Sequence, residues 1–530
     1  MAKRQTASKP RRLTVRMYRD ILGDCFLIRA PKGDGTANIL IDCGILQGMP
    51  GAADRAVRIM KNIEAETGGR LDVLIVTHEH WDHLSGFAQA EDVFARIEVG
   101  ELWLAWTEDR RDELAQTLAE GRRRALAVVE LSHAAAMAMA DHASPEADPE
   151  AETMDVKPRK FGFSELLAFY GLSPEEEEKE ERNPTALAAT GKKKRATTGS
   201  ILEALRAHAK SVRYFRPGVD PVPVAGLDDL RAFVLGPPRD EAWLKRSTPR
   251  KGTGEVYQLA AGGDDDLFYL AALGAAGLDD ATEQEPDLVL PFGRRRLLAF
   301  DAPATGVDHE EREARRRFAA VYDRAEDEWR RVDQDWLLAG EQLALKLDND
   351  TNNTSLAIAF EIGRGKDARV MLFPGDAQVG NWLSWGELAW TEKGEDGTDR
   401  RIGIEDLLAR TVLYKVGHHC SHNATPRERG LELMTSPDLV AMVPVVASFA
   451  NDAAKHWNMP FPSLLARLEE KTGRRVIRAD RSVVDFQGIA TKHADRPAEL
   501  DRKTWDRFLE AVREISDAEG PLAIDYALET

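Results

Sequence analysis

Four residues with metal-binding side chains lie within one six-residue segment: His78, His80, Asp82 and His83. They follow an apolar run at 71–77 that is typical of a short buried strand. Imidazole and carboxylate groups are ligands that zinc and other borderline divalent metals prefer. His78 and His80 are two residues apart, so in an extended segment their side chains point to the same side. The pattern predicts a metal site, with Asp82 and His83 facing a second ion. A histidine-rich surface loop is the alternative, but three of the 12 histidines in six positions argue against it.

Further polar residues also follow predicted strands. Asp376 comes after a strand predicted at 369–373, and His418 and His419 come after one predicted at 411–416. Strand-like runs and a helix predicted at 52–66 precede the first group, so strands alternate with helices. Such alternation favours an α/β layered fold whose site lies at the strand ends. We therefore expect the three groups to converge on one cleft.

The composition excludes several classes of protein. With 530 residues and 58.9 kDa, the chain has room for two to four domains of roughly 100–200 residues, or one large domain with insertions. The 43% hydrophobic content excludes disorder of the whole chain, and the net charge of −18 argues against a coat of nucleic acid, though not against a local basic groove. No apolar run reaches the ~18 residues of a membrane helix, so we expect no membrane contact. Three cysteines (Cys25, Cys43 and Cys420) cannot build a disulfide framework, which predicts a cytoplasmic protein.

Two stretches interrupt the α/β pattern. The first combines helix-forming residues with blocks of like charge, and the second ends in a long charged helical pattern. We predict core segments at 13–106, 211–238 and 348–490, a helical and charged insertion at 107–210, a second, largely helical insertion at 239–347, and a C-terminal helical extension at 491–530.

The His-x-His-x-Asp-His motif at 78–83 resembles the signature of the metallo-β-lactamase superfamily. The segment 41–44 (Ile-Asp-Cys-Gly) is similar to that superfamily's first motif, and 375–377 (Gly-Asp-Ala) to the motif whose aspartate bridges two metals. The segment 413–422 (Leu-Tyr-Lys-Val-Gly-His-His-Cys-Ser-His) resembles a segment of the metallohydrolase domain of ComEC-type competence (DNA-uptake) proteins and their soluble relatives. The resemblance covers about 13–100, 211–238, 350–425 and 435–485. It implies an α/β fold, a four-layer αββα sandwich with two large, mostly helical insertions.

The resemblance also implies a ligand set and a mechanism. Two divalent ions, zinc in the first place and manganese as the alternative, would share a bridging hydroxide that acts as the nucleophile. The first ion would be held by His78 and His80, the second by Asp82, His83 and His419, with Asp376 bridging the two.

Other residues would support these ligands. Asp42 and Asp24 would orient ligands from behind, and His418 would either do the same or exchange roles with His419. Lys415, Ser421 and His422 lie where a substrate phosphate would bind or a leaving oxygen would take up a proton. For each of these three, a purely structural role is the alternative.

Two positions depart from the pattern of the relatives. Gly236 stands where they have a histidine, the third ligand of the first metal, so either that site is weakened or a histidine from an insertion replaces it. The candidates for such a replacement are His133, His142, His208 and His309. Cys420 stands where the relatives have glycine, and we interpret it as a buried structural cysteine rather than a reactive thiol.

Three functions are compatible with these residues. The first is a metal-dependent phosphodiesterase or nuclease that acts on nucleic acid or nucleotides, in the manner of effectors of bacterial defence or stress. The second is a hydrolase of carboxylic esters or lactones, which the metal ligands alone do not exclude. The third is a module with a degraded metal site whose helical insertions bind a protein partner or a second copy of the chain.

Overall fold

The structure is a computed structural model that describes residues 12–142, 167–172, 196–247, 313, 317, 335–393, 397–452, 455, 457–483 and 502–529. Contacts divide the chain into two compact units. The first comprises Met1–Ala119, Ala168–Gly262 and Asp348–Thr530, and the second Glu120–Leu167 and Gly263–Leu347. The second unit falls inside the two predicted interruptions. The finer division of the chain remains a prediction.

Seventeen strands are present in the described part of the chain. They are β1 Arg12–Tyr18, β2 Cys25–Lys32, β3 Gly35–Cys43, β4 Arg70–Ile75, β5 Glu98–Ala105, β6 Ser211–Phe215, β7 Val222–Pro223, β8 Leu230–Val234, β9 Ile358–Ile362, β10 Arg369–Phe373, β11 Ala389–Lys393, β12 Asp399–Gly403, β13 Thr411–Lys415, β14 Val440–Val443, β15 Val476–Arg478, β16 Val512–Asp517 and β17 Gly520–Glu529.

These strands form two large sheets and a two-stranded ribbon of β11 and β12. The first sheet has the order β16-β17-β1-β2-β3-β4-β5-β6, and the second has the order β15-β14-β13-β10-β9-β8-β7. Strands β3 to β6 pair in parallel in the first sheet, as do β10, β13, β14 and β15 in the second. Strands β10, β13 and β14 are buried along almost their whole length, as is typical of parallel strands that are covered on both faces.

Twelve α-helices accompany the strands in the same described part. They are α1 Ala52–Thr67, α2 Trp81–Gln89, α3 Glu91–Phe94, α4 Glu113–His142, α5 Thr198–His208, α6 Glu241–Leu244, α7 Asp335–Asn353, α8 Val379–Ser384, α9 Ile404–Ala409, α10 Ala447–Ala450, α11 Pro462–Lys471 and α12 Arg502–Ala511. Helix α1 confirms the helix predicted at 52–66. It buries Ile59, Met60 and Ile63 and ends at Gly68, whose φ of 63° suits a residue without Cβ.

Three apolar clusters hold the first unit together. One includes residues of both large sheets, such as Phe26 and Trp103 from the first and Phe360 and Met371 from the second. Another joins the first sheet to α1, α2, α3 and α5, and the third joins the second sheet to α8, α9 and α11. Each sheet therefore shares one apolar cluster with the other sheet and another with helices.

The C-terminal segment corrects the prediction of a helical extension at 491–530. Only α12 is helical in its described part, and β16 and β17 then join the first sheet, where β17 pairs antiparallel with β1. Buried Leu522, Ile524, Tyr526 and Leu528 alternate along β17, which is the two-residue period of a strand. The alternation of apolar residues in this segment therefore indicates a strand and not a helix.

The segments with metal-binding residues leave neighbouring parallel strands at their carboxyl ends. Residues 78–83 follow β4, which pairs in parallel with β3, and Asp42 lies near the end of β3. Asp376 follows β10 and His419 follows β13, and these two strands are also parallel neighbours. The carboxyl edge of each sheet thus supplies part of one polar site.

Candidate metal centre

Four buried side chains place their ligand atoms within 4.8 Å of one another: Asp82, His83, Asp376 and His419. We call these residues the four-residue cluster. Nε2 of His419 lies 2.9 Å from Oδ2 of Asp82, and Nε2 of His83 lies 3.2 Å from Oδ2 of Asp376. Nε2 of His83 is also 3.6 Å from Oδ2 of Asp82. All four residues are at most 2% exposed, so the cluster is shielded from bulk water.

Hydrogen bonds fix which nitrogen of each histidine faces the cluster. Nδ1 of His419 lies 2.7 Å from the carbonyl oxygen of Pro444, and a carbonyl only accepts, so Nδ1 carries the proton. Nδ1 of His83 lies 2.8 Å from Oδ2 of Asp42 and donates in the same way. Nε2 of each ring therefore faces the carboxylates of Asp82 and Asp376. It donates a hydrogen bond to them while it carries a proton, and it is the nitrogen that can bind a metal once that proton is lost.

A buried lysine holds the central carboxylate. Nζ of Lys415 donates to Oδ1 of Asp376 at 3.2 Å and forms an ion pair with Asp24, and the backbone N–H of His418 donates to Oδ1 of Asp376 at 3.0 Å. Burial alone would raise the pKa of Asp376, but Lys415 and His83 outweigh burial and hold this pKa well below its usual value. Asp376 is therefore anionic and oriented.

The loop that presents His419 has an unusual backbone. His418, His419 and Cys420 have φ values of 43°, 50° and 65°, the left-handed region that residues with a Cβ seldom adopt. The amide N–H of Phe461 donates to the carbonyl of Cys420 at 2.7 Å, one of the contacts that fix the loop. Since strain of this kind persists only where the surroundings enforce it, the loop marks a constrained site.

His78 and His80 adjoin the four-residue cluster and form what we call the histidine pair. Nε2 of His78 lies 3.0 Å from Nδ1 of His80, and the ring of His78 packs on that of His83 with centroids 4.2 Å apart. The hydroxyl of Thr77 donates to Asp42 and lies 3.1 Å from Nδ1 of His78. The pair and the cluster therefore share Asp42 as a support.

Three residues around His80 were not predicted from the sequence. The hydroxyl of Tyr170 lies 3.3 Å from Nε2 of His80 and 2.9 Å from Oγ1 of Thr351. Oδ1 of Asp348 is 3.7 Å from the same nitrogen, and Oδ2 of Asp348 accepts from Asn352 at 3.1 Å. Burial raises the pKa of Asp348 to about 8, with a further increase from Asp82 and Asp376. Tyr170 lies within the insertion predicted at 107–210, whereas Asp348 and Thr351 lie at the start of the core segment predicted at 348–490, and none of the three belongs to a motif named above.

The donor set of the four-residue cluster fits a divalent ion. Two ligand atoms at about 2.1 Å from one tetrahedral ion are about 3.4 Å apart, close to the separations found here. Oδ1 of Asp82 is buried without a hydrogen-bond partner, which is costly for a carboxylate unless another group compensates. The ligands are imidazole and carboxylate without sulfur, a set that zinc, manganese and iron accept.

The other predicted site residues occupy different environments. Lys415 is 1% exposed and pairs with the buried carboxylates of Asp24 and Asp376, contacts that fit the structural role named above as the alternative. Ser421 is buried, and its hydroxyl contacts Nδ1 of His418 at 2.9 Å and Asn423 at 3.0 Å. His422 is exposed and lies beside Phe461.

None of the histidines proposed to replace the ligand at Gly236 is seen to do so. Nε2 of His208 contacts the carbonyl of Ile97 at 2.7 Å, which places it on the strand-side surface of α5. His133 is buried in the second unit and belongs to no group of metal-binding side chains among the described residues. The side chains of His142 and His309 lie outside the described residues.

Comparison with known proteins agrees with this geometry. Residues 18–131 match the family model described as the metallo-beta-lactamase superfamily. No curated protein and no solved structure matches the chain significantly. The matched region contains the whole 78–83 motif and Asp42. Among the described residues, no helix is both long and apolar enough to cross a bilayer.

Proposed function

We propose that this chain, whose residues 18–131 match the model of the metallo-beta-lactamase superfamily, is a zinc-dependent phosphodiesterase that acts on nucleic acid or nucleotides. The observation that carries the proposal is the convergence of Asp82, His83, Asp376 and His419 within 4.8 Å. Superfamily membership indicates a metal-dependent hydrolase, and the phosphodiester preference is our extension of it. We also interpret the first unit as a four-layer αββα sandwich with insertions, supported by the core that both sheets share.

The ion would be held by His83 and His419 through Nε2 and by the carboxylates of Asp82 and Asp376. When bound, a divalent ion lowers the pKa of a coordinated water towards neutrality and polarises a phosphoryl oxygen. The residues of the chain supply the rest. Asp42 keeps His83 in the tautomer that leaves Nε2 free, and Lys415 orients the carboxylate of Asp376. Both contacts are made in advance, so little reorganisation is needed when substrate arrives.

The substrate preference rests on the end of β13 and the loop that follows it. This segment, 413–422, resembles part of the metallohydrolase domain of the competence proteins, and the ligands include no cysteine. His422 is exposed at the end of this segment, and we assign it the role of meeting a phosphate or protonating a leaving oxygen. Hydrolysis by this mechanism requires no serine or cysteine nucleophile, because the attacking group is water.

The proposal is tested with bis-p-nitrophenyl phosphate as substrate. Turnover is expected with zinc or manganese, to be lost after chelation and to return when metal is added back. Asp82→Asn should lower kcat/KM by at least about 100-fold because it removes an anionic ligand. Asp92→Asn, at an exposed aspartate of α3, serves as the matched control and should keep wild-type turnover.

Other outcomes would contradict the proposal. Equal activity of Asp82→Asn and wild type would exclude the cluster as the site of hydrolysis. Turnover of p-nitrophenyl acetate or a lactone, with none of the phosphodiester, would replace phosphodiesters by carboxylic esters. A lack of activity on all three substrates with every metal would favour a binding module.

A further inference from the structure

The space beside Gly236 is filled by another side chain. A Cβ atom at this position would lie 2.0 Å from Oδ1 of Asn381. The amide of Asn381 is itself fixed, since Nδ2 donates to the carbonyls of Asn353 and Ser355 at 3.0 Å each and Oδ1 accepts from Trp385 at 2.9 Å. Moving this amide would leave buried polar groups unpaired. No side chain can therefore be accommodated at 236 while Asn381 keeps its place.

The histidine pair also lacks a third ligand in the described part of the chain. No other His, Cys, Asp or Glu ligand atom there lies within 4.8 Å of the facing nitrogens of both His78 and His80. The nearest carboxylate, Asp348, lies 3.7 Å from Nε2 of His80, whereas the nitrogen that faces His78 is Nδ1. A stable zinc site in a protein has at least three protein ligands, which the pair alone does not supply.

We propose that this chain binds a single divalent ion tightly, in the four-residue cluster, and that the histidine pair is not a second metal site. The proposal rests on the metal-dependent function proposed above and gives one ion per chain where the resemblance implies two. His78 and His80 are then positioning residues. The ring of His78 supports that of the ligand His83, and His80 connects His78 to Tyr170.

The test is the zinc content of the full chain, purified without a histidine tag, equilibrated with zinc and measured by mass spectrometry after gel filtration. Wild type should retain about one zinc ion per chain. His78→Ala should retain the same amount, whereas His419→Ala should retain almost none. Circular dichroism confirms that each variant is folded, so the zinc contents are compared between folded chains.

A double variant is designed to restore a third ligand to the histidine pair. Gly236→His combined with Asn381→Ala removes the blocking amide and supplies a third histidine, so its zinc content should rise towards about two ions per chain. If this variant does not fold, the zinc contents of wild type and His78→Ala still show whether the histidine pair binds metal.

Two results would overturn the inference. A wild-type content near two ions that falls by one in His78→Ala would show that the pair holds metal. A zinc content near zero in wild type would reject both this inference and the proposed function. A wild-type content of one zinc ion per chain, without turnover of the phosphodiester, would reject the proposed function but not this inference.

Discussion

Nδ1 of His83 lies 2.8 Å from Oδ2 of Asp42, and both residues are completely buried. The other oxygen of Asp42 accepts the backbone N–H of Thr77 at 2.8 Å, and the hydroxyl of Thr77 donates back to Oδ2 at 2.7 Å. One carboxylate therefore fixes the end of β4 and the tautomer of a metal ligand together. A contact of this kind supports a metal site from behind its ligands and raises the basicity of the histidine.

Asp42→Asn tests this contact. An amide has no negative charge to stabilise the Nδ1 proton of His83, so zinc affinity should fall about 10- to 100-fold. Asparagine is suited to the φ of 55° that Asp42 adopts, which keeps the backbone in place. Competition with a chromogenic chelator measures the affinity. The control is Asp34→Asn in the exposed turn between β2 and β3, and equal affinity of the two variants would exclude a role for Asp42.

Removing the charge of Lys415 should destabilise the metal-free protein. Burial would lower the pKa of Lys415, but Asp24 and Asp376 outweigh burial and raise it, so the lysine is charged. Lys415→Met leaves two buried carboxylates without their cation, and the free energy of unfolding should fall by about 3 kcal/mol. Saturating zinc should recover part of this loss, because the ion binds only the folded chain and neutralises Asp376.

Urea unfolding with chelator and with zinc measures both effects of Lys415→Met. Lys210→Met is the control, since Lys210 is exposed and pairs with Glu98 at the surface. It should change stability by less than about 1 kcal/mol. A Lys415→Met protein as stable as Lys210→Met in chelator would show that the buried ion pairs are unimportant.

The three cysteines should be unreactive in the folded protein. Cys25, Cys43 and Cys420 are each at most 2% exposed, and burial raises the pKa of Cys420 to about 12. Because the thiolate is the reactive form, Ellman's reagent at pH 8 should modify none of them rapidly until denaturant is added. Lys210→Cys provides a reactive reference thiol at an exposed position. Rapid modification of the wild-type protein would contradict the interpretation of Cys420 as structural.

An ion pair far from the metal centre predicts a pH dependence of stability. Hydrogen bonds from Arg467, with a smaller contribution from Lys471, lower the pKa of Glu432 from 4.5 to about 2. The folded-state pKa lies below the unfolded value, so this stabilisation is present above pH 4.5 and is lost as the pH falls towards 2.

Glu432→Gln should therefore lower the free energy of unfolding at pH 7 by about 1 kcal/mol, and by much less near pH 2, where wild-type Glu432 is itself becoming protonated. Thermal unfolding across this pH range measures the difference. Glu470→Gln is the control, since Glu470 also pairs with Arg467 but its side chain is 66% exposed. A cost for Glu432→Gln that does not change with pH would contradict the assignment.

The local parts of the site could be predicted from the sequence. Residues 78–83 are consecutive, and Asp376 and His419 each follow an apolar strand, so their types and positions are visible without tertiary information. Strand β10 confirms the bounds predicted at 369–373. The carboxyl edge of a parallel sheet then brings such residues together, because the fold positions strand ends side by side.

Long-range packing decided what the sequence left open. Lys415 next to metal ligands is compatible with a phosphate contact or with a buried ion pair, and its pairing with Asp24 and Asp376 is a tertiary contact that the sequence does not reveal. Similarly, Gly236 indicates a missing ligand, but the sequence does not reveal that Asn381 fills its space. Tyr170 lies in a segment without a motif, so its contact with His80 had no sequence signal.

The position of a bound zinc ion shows which side chains hold it. Crystals of the full chain grown with zinc would be measured at the zinc absorption edge, where anomalous differences locate the ion without reference to activity. One strong peak is expected about 2.0–2.2 Å from Nε2 of His83 and His419 and from oxygens of Asp82 and Asp376. A zinc-saturated crystal with no peak among these four residues, or with its strongest peak elsewhere, would contradict a metal centre in the four-residue cluster.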